Sequence, residues 1–352
     1  MKKVTITDLA DRTGISRSTI SRVLNNNARV NPEIKNKVDK AIDELGYDRK
    51  TSGVKYSMPI KSVTIATTVS LQAPDQFYSA MIGEFQNHFA HMGLKAQLII
   101  LSSEMSDQEI VDKLSSAECV LMLGPELPHI AKEISARKIP VVLVNGFDAE
   151  MKISSVSLDY ELGGELAARH LLSMGHKKIA MLTASTRPSI RKRTYGFERM
   201  LKEENCEQVT IIDILEYCSQ NNRDELRNQI FNGTAGADFG ASKVIGDILD
   251  RDLFNGSTAI FCVCDHTAIS LINELEKRNI SVPQDISILG FDNLSIADMI
   301  APKLSSIGSN HTDTAHVAIQ LLIQDLNESN LLAKRLNLGV ELFSRESVSD
   351  IS

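Results

Sequence analysis

At 352 residues the chain exceeds what a single hydrophobic core usually fills, so two or three domains are expected. An apolar fraction of 43%, no N-terminal apolar signal region and no run of about 18 apolar residues predict a cytoplasmic protein, neither secreted nor membrane-inserted. Charge is divided along the chain: residues 1–62 hold 13 Lys+Arg against 7 Asp+Glu and the remainder 25 against 38, so a basic end suited to phosphate precedes an acidic body.

The stretch TITDLADRTGISRSTISRVLN, Thr5 to Asn25, reads as two short helices joined by a tight turn. Thr5 and Asp8 fit a capping box that opens a helix with Ile6, Leu9 and Ala10 on its apolar face. Gly14 stands where that helix must stop, and Ser16 is placed to cap the next, which turns Ile20, Val23 and Leu24 inward. The opposite face is Arg17, Ser18, Thr19, Ser21 and Arg22, without an acid among them. A helix-turn-helix lays such a face in the major groove, where Arg bonds guanine bidentately and Ser or Thr bonds bases or phosphates. The bland reading is a small helical pair with a solvated polar face. After Asn25 comes a polar turn holding Arg29, read as a phosphate contact; Asn31 and Pro32 then open a third helix, roughly 32–45, packing Ile34, Val38, Ala41, Ile42 and Leu45 before Gly46 ends it.

This run resembles, without a gap, the DNA-binding headpiece of the lactose-repressor and galactose-repressor (LacI/GalR) family, whose usual form is T-I-x-D-[VIL]-A-x-x-[AT]-G-V-S-x-x-T-V-S-R-V-L-N. The resemblance implies headpiece residues 1–46, a hinge at 47–61 and an effector-binding and dimerisation core at 62–347. In the family the hinge is a helix that drives a Leu into the minor groove. Here the segment departs from that pattern at Arg49, Lys50, Gly53, Val54 and Tyr56, keeping Tyr47. Gly53 lowers helix propensity by roughly 1 kcal/mol relative to Ala. Tyr56 stands at the wedge position, so contact through Arg49, Lys50 and Lys55 is expected to weigh more.

From Lys61 onward, the apolar runs SVTIATTV, AQLIIL, CVLMLG, VVLVN, KIAMLT, VTIIDIL, TAIFCVC and ISILGF alternate with amphipathic stretches such as 76–92, 159–174 and 265–279. That alternation predicts an α/β fold with parallel sheets covered by helices on both faces. The resemblance implies a two-lobed periplasmic-binding-protein-like core crossed three times by the chain. The N-lobe is expected at about 62–158 and 292–320, the C-lobe at about 159–291 and 321–347. Residues 205–240 fit least well: they run longer than the strand and helix that the resemblance implies there, and are read as carrying an inserted surface element of about twenty residues.

Family effector positions fall on Leu71, Ala73, Pro74 and Phe77 as an apolar wall with Thr68 beside it, and on Asn145 at the end of VVLVN. They fall also on Arg193 in the R-x-x-G-[FY] site, Asp265 after TAIFCVC, Asp292 in ILGFDN and His311. Cys264 replaces the usual Asn before Asp265, and Asp265 reads equally well as a helix cap. An Arg, an Asn and two Asp beside an apolar wall suit a neutral polyhydroxylated ligand, and the chain has no Trp and few aromatic residues near these positions to stack on a purine.

No GxSxG, P-loop, HExxH or strand-following GxGxxG is present, and Gly163-Gly164 lacks the rest of a dinucleotide fingerprint, so neither an enzyme nor a bound cofactor is expected. Five cysteines form no CxxC pair or zinc spacing, and His88 and His91, three apart, have no third ligand nearby in sequence; no metal is expected. The reading is a repressor of a carbohydrate-utilisation operon, bound to palindromic double-stranded operator DNA as a homodimer and released by a sugar. The alternative is a corepressor-type regulator tightened on DNA by a purine or phosphosugar. A transport solute-binding protein would have no use for residues 1–46. The closing LGVELFSRESVSDIS carries no leucine heptads, so a terminal coiled coil is not expected.

Overall fold

The computed structural model describes residues 4, 6–16, 19–20, 23, 32–45, 60–67, 76–102, 104–124, 127–309, 311–327 and 332–352. The chain divides into two compact units, Met1–Lys61 and Ser62–Ser352.

In the first unit, α1 (Ile6–Thr13) ends where Gly14 takes φ +69° and its N–H bonds the Ala10 carbonyl at 2.8 Å. Ser16 then starts the next helical turn, its Oγ accepting the Thr19 N–H at 3.2 Å. Leu9, Ile20 and Val23 close over Val38, Ala41 and Ile42 of α2 (Pro32–Leu45). Apolar spacing of three and four therefore builds a small core, and Arg12–Glu44 at 2.7 Å adds an exposed ion pair of little weight.

The second unit holds two six-stranded sheets with matching strand orders. The first contains β1 (Ser62–Thr67), β2 (Lys95–Ile100), β3 (Val120–Leu123), β4 (Val141–Val144), β5 (Ser154–Leu158) and a late strand, β11 (Arg335–Leu338). Its order is β2-β1-β3-β4-β5-β11, parallel throughout. The second contains β6 (Lys178–Thr183), β7 (Gln208–Asp213), β8 (Ala259–Cys262), β9 (Ser287–Phe291), β10 (Ser305–Gly308) and β12 (Glu341–Phe343). It runs β7-β6-β8-β9-β10-β12, and β12 alone among these pairs is antiparallel to its neighbour. Central strands such as VLML, VVLV and AIFC are buried at every position, whereas edge strand β2 alternates.

The chain crosses between the sheets after β5, after β10 and after β11. Two expected lobe boundaries need correction. Residues 292–308 belong with the second sheet, because β10 pairs in parallel with β9 after the connection 292–304. The long helix His311–Asn327 packs on the first sheet, against β4, β5 and the helix Gln76–His91, and β11 follows it there, so the return to the second lobe comes after β11 and not at residue 321. Strands β5, β10 and β11 escape a hydrophobicity reading because SSVSL, SSIG and RLNL are half polar.

The segment 205–240 is also corrected. It holds β7 and two short helices, Ile214–Gln220 and Asp224–Phe231. Ile214, Leu215, Tyr217, Cys218, Leu226 and Ile230 all enter the core of the second sheet. Apolar side chains at helical spacing make it a load on the core, not a surface excursion.

Two further helices determine the cleft: Tyr160–Ser173 and Pro188–Glu203. A Cβ on Gly164 would lie 2.0 Å from the Arg193 carbonyl oxygen, and one on Gly196 would lie 2.1 Å from that of Glu161. The helices thus meet backbone to backbone, which is the structural reason for Gly164 and Gly196, while Gly163 makes room for the Phe291 ring. Gly164→Ala should cost about 1–3 kcal/mol, since the neighbour is main chain and cannot swing away. Gly246→Ala, which meets only flexible side-chain ends, should change stability by no more than about 1 kcal/mol. Urea denaturation of both variants checks this; equal costs would mean that the helices separate freely.

Candidate functional site

A cleft between the two sheets encloses about 530 Å³ of empty space, part of it open to solvent. It lies beyond the carboxyl ends of β4, β6, β8 and β9, where doubly wound sheets leave room for ligands. Asn145, Arg193 and Asp292 line it together, with Tyr78, Tyr160, Arg187, Ser189, Phe239, Cys264 and His266 among their neighbours.

Arg193 projects from the helix Pro188–Glu203 and is 4% exposed. Its guanidinium lies 3.4 Å from the Phe291 ring centroid and 5.2 Å from that of Tyr160. One amino group donates to the Val263 carbonyl, another stands 3.8 Å from Asp292 Oδ1, and Nε has no partner. Burial pulls its pKa down and the Asp292 charge pulls it back; a guanidinium keeps its proton regardless.

Asp292 sits at φ 105° and Asn293 at φ 51°, in the left-handed region. Three bonds hold this turn: Asp292 N–H to the Ile307 carbonyl at 2.8 Å, Asn293 N–H to Ser306 Oγ at 3.0 Å, and Leu294 N–H to Asp265 Oδ2 at 2.7 Å. Gly308 permits it, because a Cβ there would lie 2.6 Å from that of Asn293. Arg345 adds a fourth bond, 2.7 Å to Asn293 Oδ1.

Asp265 is a correction. It opens the helix Asp265–Lys277 fully buried and does not line the cleft. Its carboxyl accepts the Leu294 N–H and, at 2.6 Å, the Ser306 hydroxyl. Burial, and after it the Asp292 charge, push that carboxyl up to about 8.

Asn145, at φ 60°, lines the cleft with its amide already engaged. Nδ2 donates to the Tyr78 hydroxyl at 2.9 Å, and Oδ1 accepts from the Tyr160 hydroxyl. Arg187 also donates to the Tyr78 hydroxyl, at 3.3 Å, and lies 5.6 Å from the Phe239 ring centroid. Cys264 spends its thiol on Thr267 and the Ala237 carbonyl, and burial pushes it up to about 12, so it is not a nucleophile near neutral pH.

The remaining expectations fall elsewhere. Thr68, Leu71, Ala73 and Pro74 lie outside the described residues, as do the side chains of Phe77 and His311. So do Thr5, Arg17, Ser18, Ser21, Arg22, Asn25, Arg29, Arg49, Lys50 and Tyr56. Ser16 and Thr19 are described, and their hydroxyls bond each other at 2.9 Å at the helix start. Sequence reasoning missed Tyr78, Tyr160, Arg187, Phe239 and His266. Tyr160 was legible in principle, since Asp159 caps a helix directly after a strand. The paucity of aromatic groups expected around the ligand is corrected by Tyr78, Tyr160 and Phe239. Among the described residues, no three His, Cys, Asp or Glu side chains converge as metal ligands.

Comparison with known proteins follows the same division of the chain. Residues 5–50 match the model "Bacterial regulatory proteins, lacI family", residues 95–231 match "Periplasmic binding proteins and sugar binding domain of LacI family", and residues 168–348 match "Periplasmic binding protein-like domain". Catabolite control protein A of Priestia megaterium is 27% identical over 352 residues, spanning 98% of this chain and 99% of the relative. The HTH-type transcriptional repressor PurR of Photobacterium profundum is 25% identical over 356 residues, spanning 99% of each. The solved transcriptional regulator CelR–cellobiose complex shares the fold, with TM-score 0.67, 22% identity, and coverage of 98% of this chain and 100% of that one.

The raised Asp265 carboxyl has a consequence for stability. The unfolded chain loses this proton near the ordinary value of about 3.9, whereas the folded chain keeps it to about 8. Its stabilising contribution is complete below about pH 4 and is lost as pH rises through about 8. Asp265→Asn keeps an acceptor for the Leu294 N–H and offers Ser306 Oγ an N–H in place of the oxygen that accepted its hydroxyl, without an ionisation. Thermal melting between about pH 5 and 8 should therefore fall less in this variant than in the native chain; parallel profiles would show that Asp265 ionises without penalty. Asp265→Ala, which strands the buried Leu294 N–H, should cost about 1–3 kcal/mol.

Proposed function

The chain belongs to the LacI/GalR family of DNA-binding regulators under small-molecule control, and we propose that it represses a carbohydrate-utilisation operon and leaves its operator when a sugar fills the cleft. The observation that carries this reading is the Arg193–Asp292 pair. A planar cation, fixed against Phe291 and Tyr160, stands beside a carboxylate held by a braced turn. That pairing offers donors and acceptors at fixed positions to the vicinal hydroxyls of a sugar. The cellobiose bound by the CelR relative is consistent with it.

A palindromic operator is read by two headpieces, so the working species is a homodimer. The helices Gln76–His91 and Asp265–Lys277 are the proposed interface elements. In the headpiece, Arg17, Ser18, Ser21 and Arg22 face the major groove, with Thr5, Ser16, Thr19, Asn25 and Arg29 on phosphates or base edges and Arg49, Lys50 and Tyr56 following the minor groove. Ligand works by its differential affinity for the operator-bound and released arrangements of the two lobes.

A purine corepressor is the second reading, favoured by Tyr78, Tyr160 and Phe239 around the cleft and by the likeness to PurR. The two readings separate in one titration. Fluorescence anisotropy on an operator fragment selected from random DNA should fall when the sugar is added; tightening with a purine would establish the corepressor instead.

Arg193→Ala should bind operator as the native chain does and no longer respond to effector. Loss of operator binding with the fold intact would remove Arg193 from the effector site. Arg22→Ala should lose about 1–3 kcal/mol of discrimination at one base pair. A uniform loss across all sequences, with a shallower salt dependence, would make Arg22 a phosphate contact.

A further inference from the structure

The polar groups of the cleft are unequally divided between donors and acceptors. Asn145 has spent both ends of its amide on Tyr78 and Tyr160, and Asp265 is sealed behind the cleft on Leu294 and Ser306. Asp292 is thereby the one carboxylate among the described lining residues. Against it stand two guanidinium groups, Arg187 and Arg193. Arg193 Nε is buried with no partner, and so is His266 Nε2, a donor in its protonated tautomer. The 16-residue helix Pro188–Glu203 opens at the same place with no side-chain cap, and Ser189 and Ile190 of its first turn line the cleft. Its N-terminus adds partial positive charge to that of the two arginines.

A neutral sugar hydroxyl brings one donor hydrogen along with its acceptor lone pairs, so a site built for neutral sugars needs acceptors as well as donors. An oxyanion only accepts. Resting on the reading that this cleft takes the effector, we propose that the effector is a hydroxylated molecule with an anionic group, a sugar phosphate or a sugar acid, that group seated between Arg187 and the first turn of the helix Pro188–Glu203. Asp292 and Arg193 then hold hydroxyls at the other end, and the Phe239 ring closes the side facing Arg187.

The test is isothermal titration of the full chain with matched sets of pentoses, hexoses and disaccharides, their monophosphates and their aldonic acids, at low and high salt. One anionic set should bind about 10- to 100-fold tighter than its neutral counterpart, with the advantage shrinking as salt rises. Arg187→Gln, its fold checked by circular dichroism, should abolish that advantage. The set that binds identifies the group as phosphate or carboxylate. A neutral sugar bound equally well by native chain and Arg187→Gln would overturn the anionic group and leave the sugar-responsive repressor standing. Binding of hypoxanthine alone, outside all three sets, would overturn both.

Discussion

Asp265 begins the helix Asp265–Lys277 with its carboxyl closed off from water, and from there it holds the Leu294 N–H and the Ser306 hydroxyl. Those two groups belong to the loop after β9 and to β10, so one side chain ties three elements of the second sheet together. The turn it secures carries Asp292 at φ 105° and Asn293 at φ 51°, a conformation disfavoured for side chains with a Cβ. Backbone strain of this kind, of order 1–3 kcal/mol per residue, persists only where the surroundings over-determine it. Here Ile307, Ser306, Asp265 and Arg345 do so. The position of Asp292 against Arg193 therefore depends on a carboxyl that never faces the cleft.

The other half of that pair is fixed by a different device. Arg193 starts from a helix whose main chain lies against Gly164, and its guanidinium is stacked on Phe291, the last residue of β9. Two glycines bring the helices Tyr160–Ser173 and Pro188–Glu203 close enough for this, and no side chain larger than hydrogen fits there. The cation is held by packing and the anion by hydrogen bonds, so their relative placement is set before any ligand arrives.

These features differ in how legible they are in the sequence. The headpiece core was readable because Leu9, Ile20, Val38 and Ile42 follow helical spacing between Gly14, Ser16 and Pro32. Most strands of the core were readable as apolar runs, because parallel strands are buried on both faces. Strands β5 and β10 were not, since buried serines there satisfy main-chain groups instead of adding hydrophobicity: Ser154 accepts the Lys334 N–H and Ser305 the Arg345 N–H. Arg193 and Asp292 were legible through their motifs. Arg187 and Tyr78 were not, because their meeting joins positions 109 residues apart in opposite lobes. Asp265 was visible as an acid at a strand end, but its role depended on whether the carboxyl turned toward the cleft or toward Leu294, a choice that no spacing encodes.

The cleft is already bridged across its mouth. Arg187, from the lobe of the second sheet, donates to Tyr78, from that of the first, and Tyr160 reaches Asn145 in the same sense. Three chain crossings also join the lobes. An acceptor brought in at Arg187 meets a guanidinium that already gives an N–H to the Tyr78 hydroxyl, while hydroxyls at Arg193 and Asp292 draw on groups within one lobe. The chemistry that recognises a ligand at one end of the cleft is thus the same chemistry that holds the lobes together. A ligand gains leverage over the lobe arrangement in proportion to the difference between the bonds it makes and those it replaces. For a neutral hydroxyl replacing the Tyr78 hydroxyl that difference is small. For an oxyanion replacing it the difference is that between a charge-assisted and an ordinary hydrogen bond, roughly a factor of two in strength.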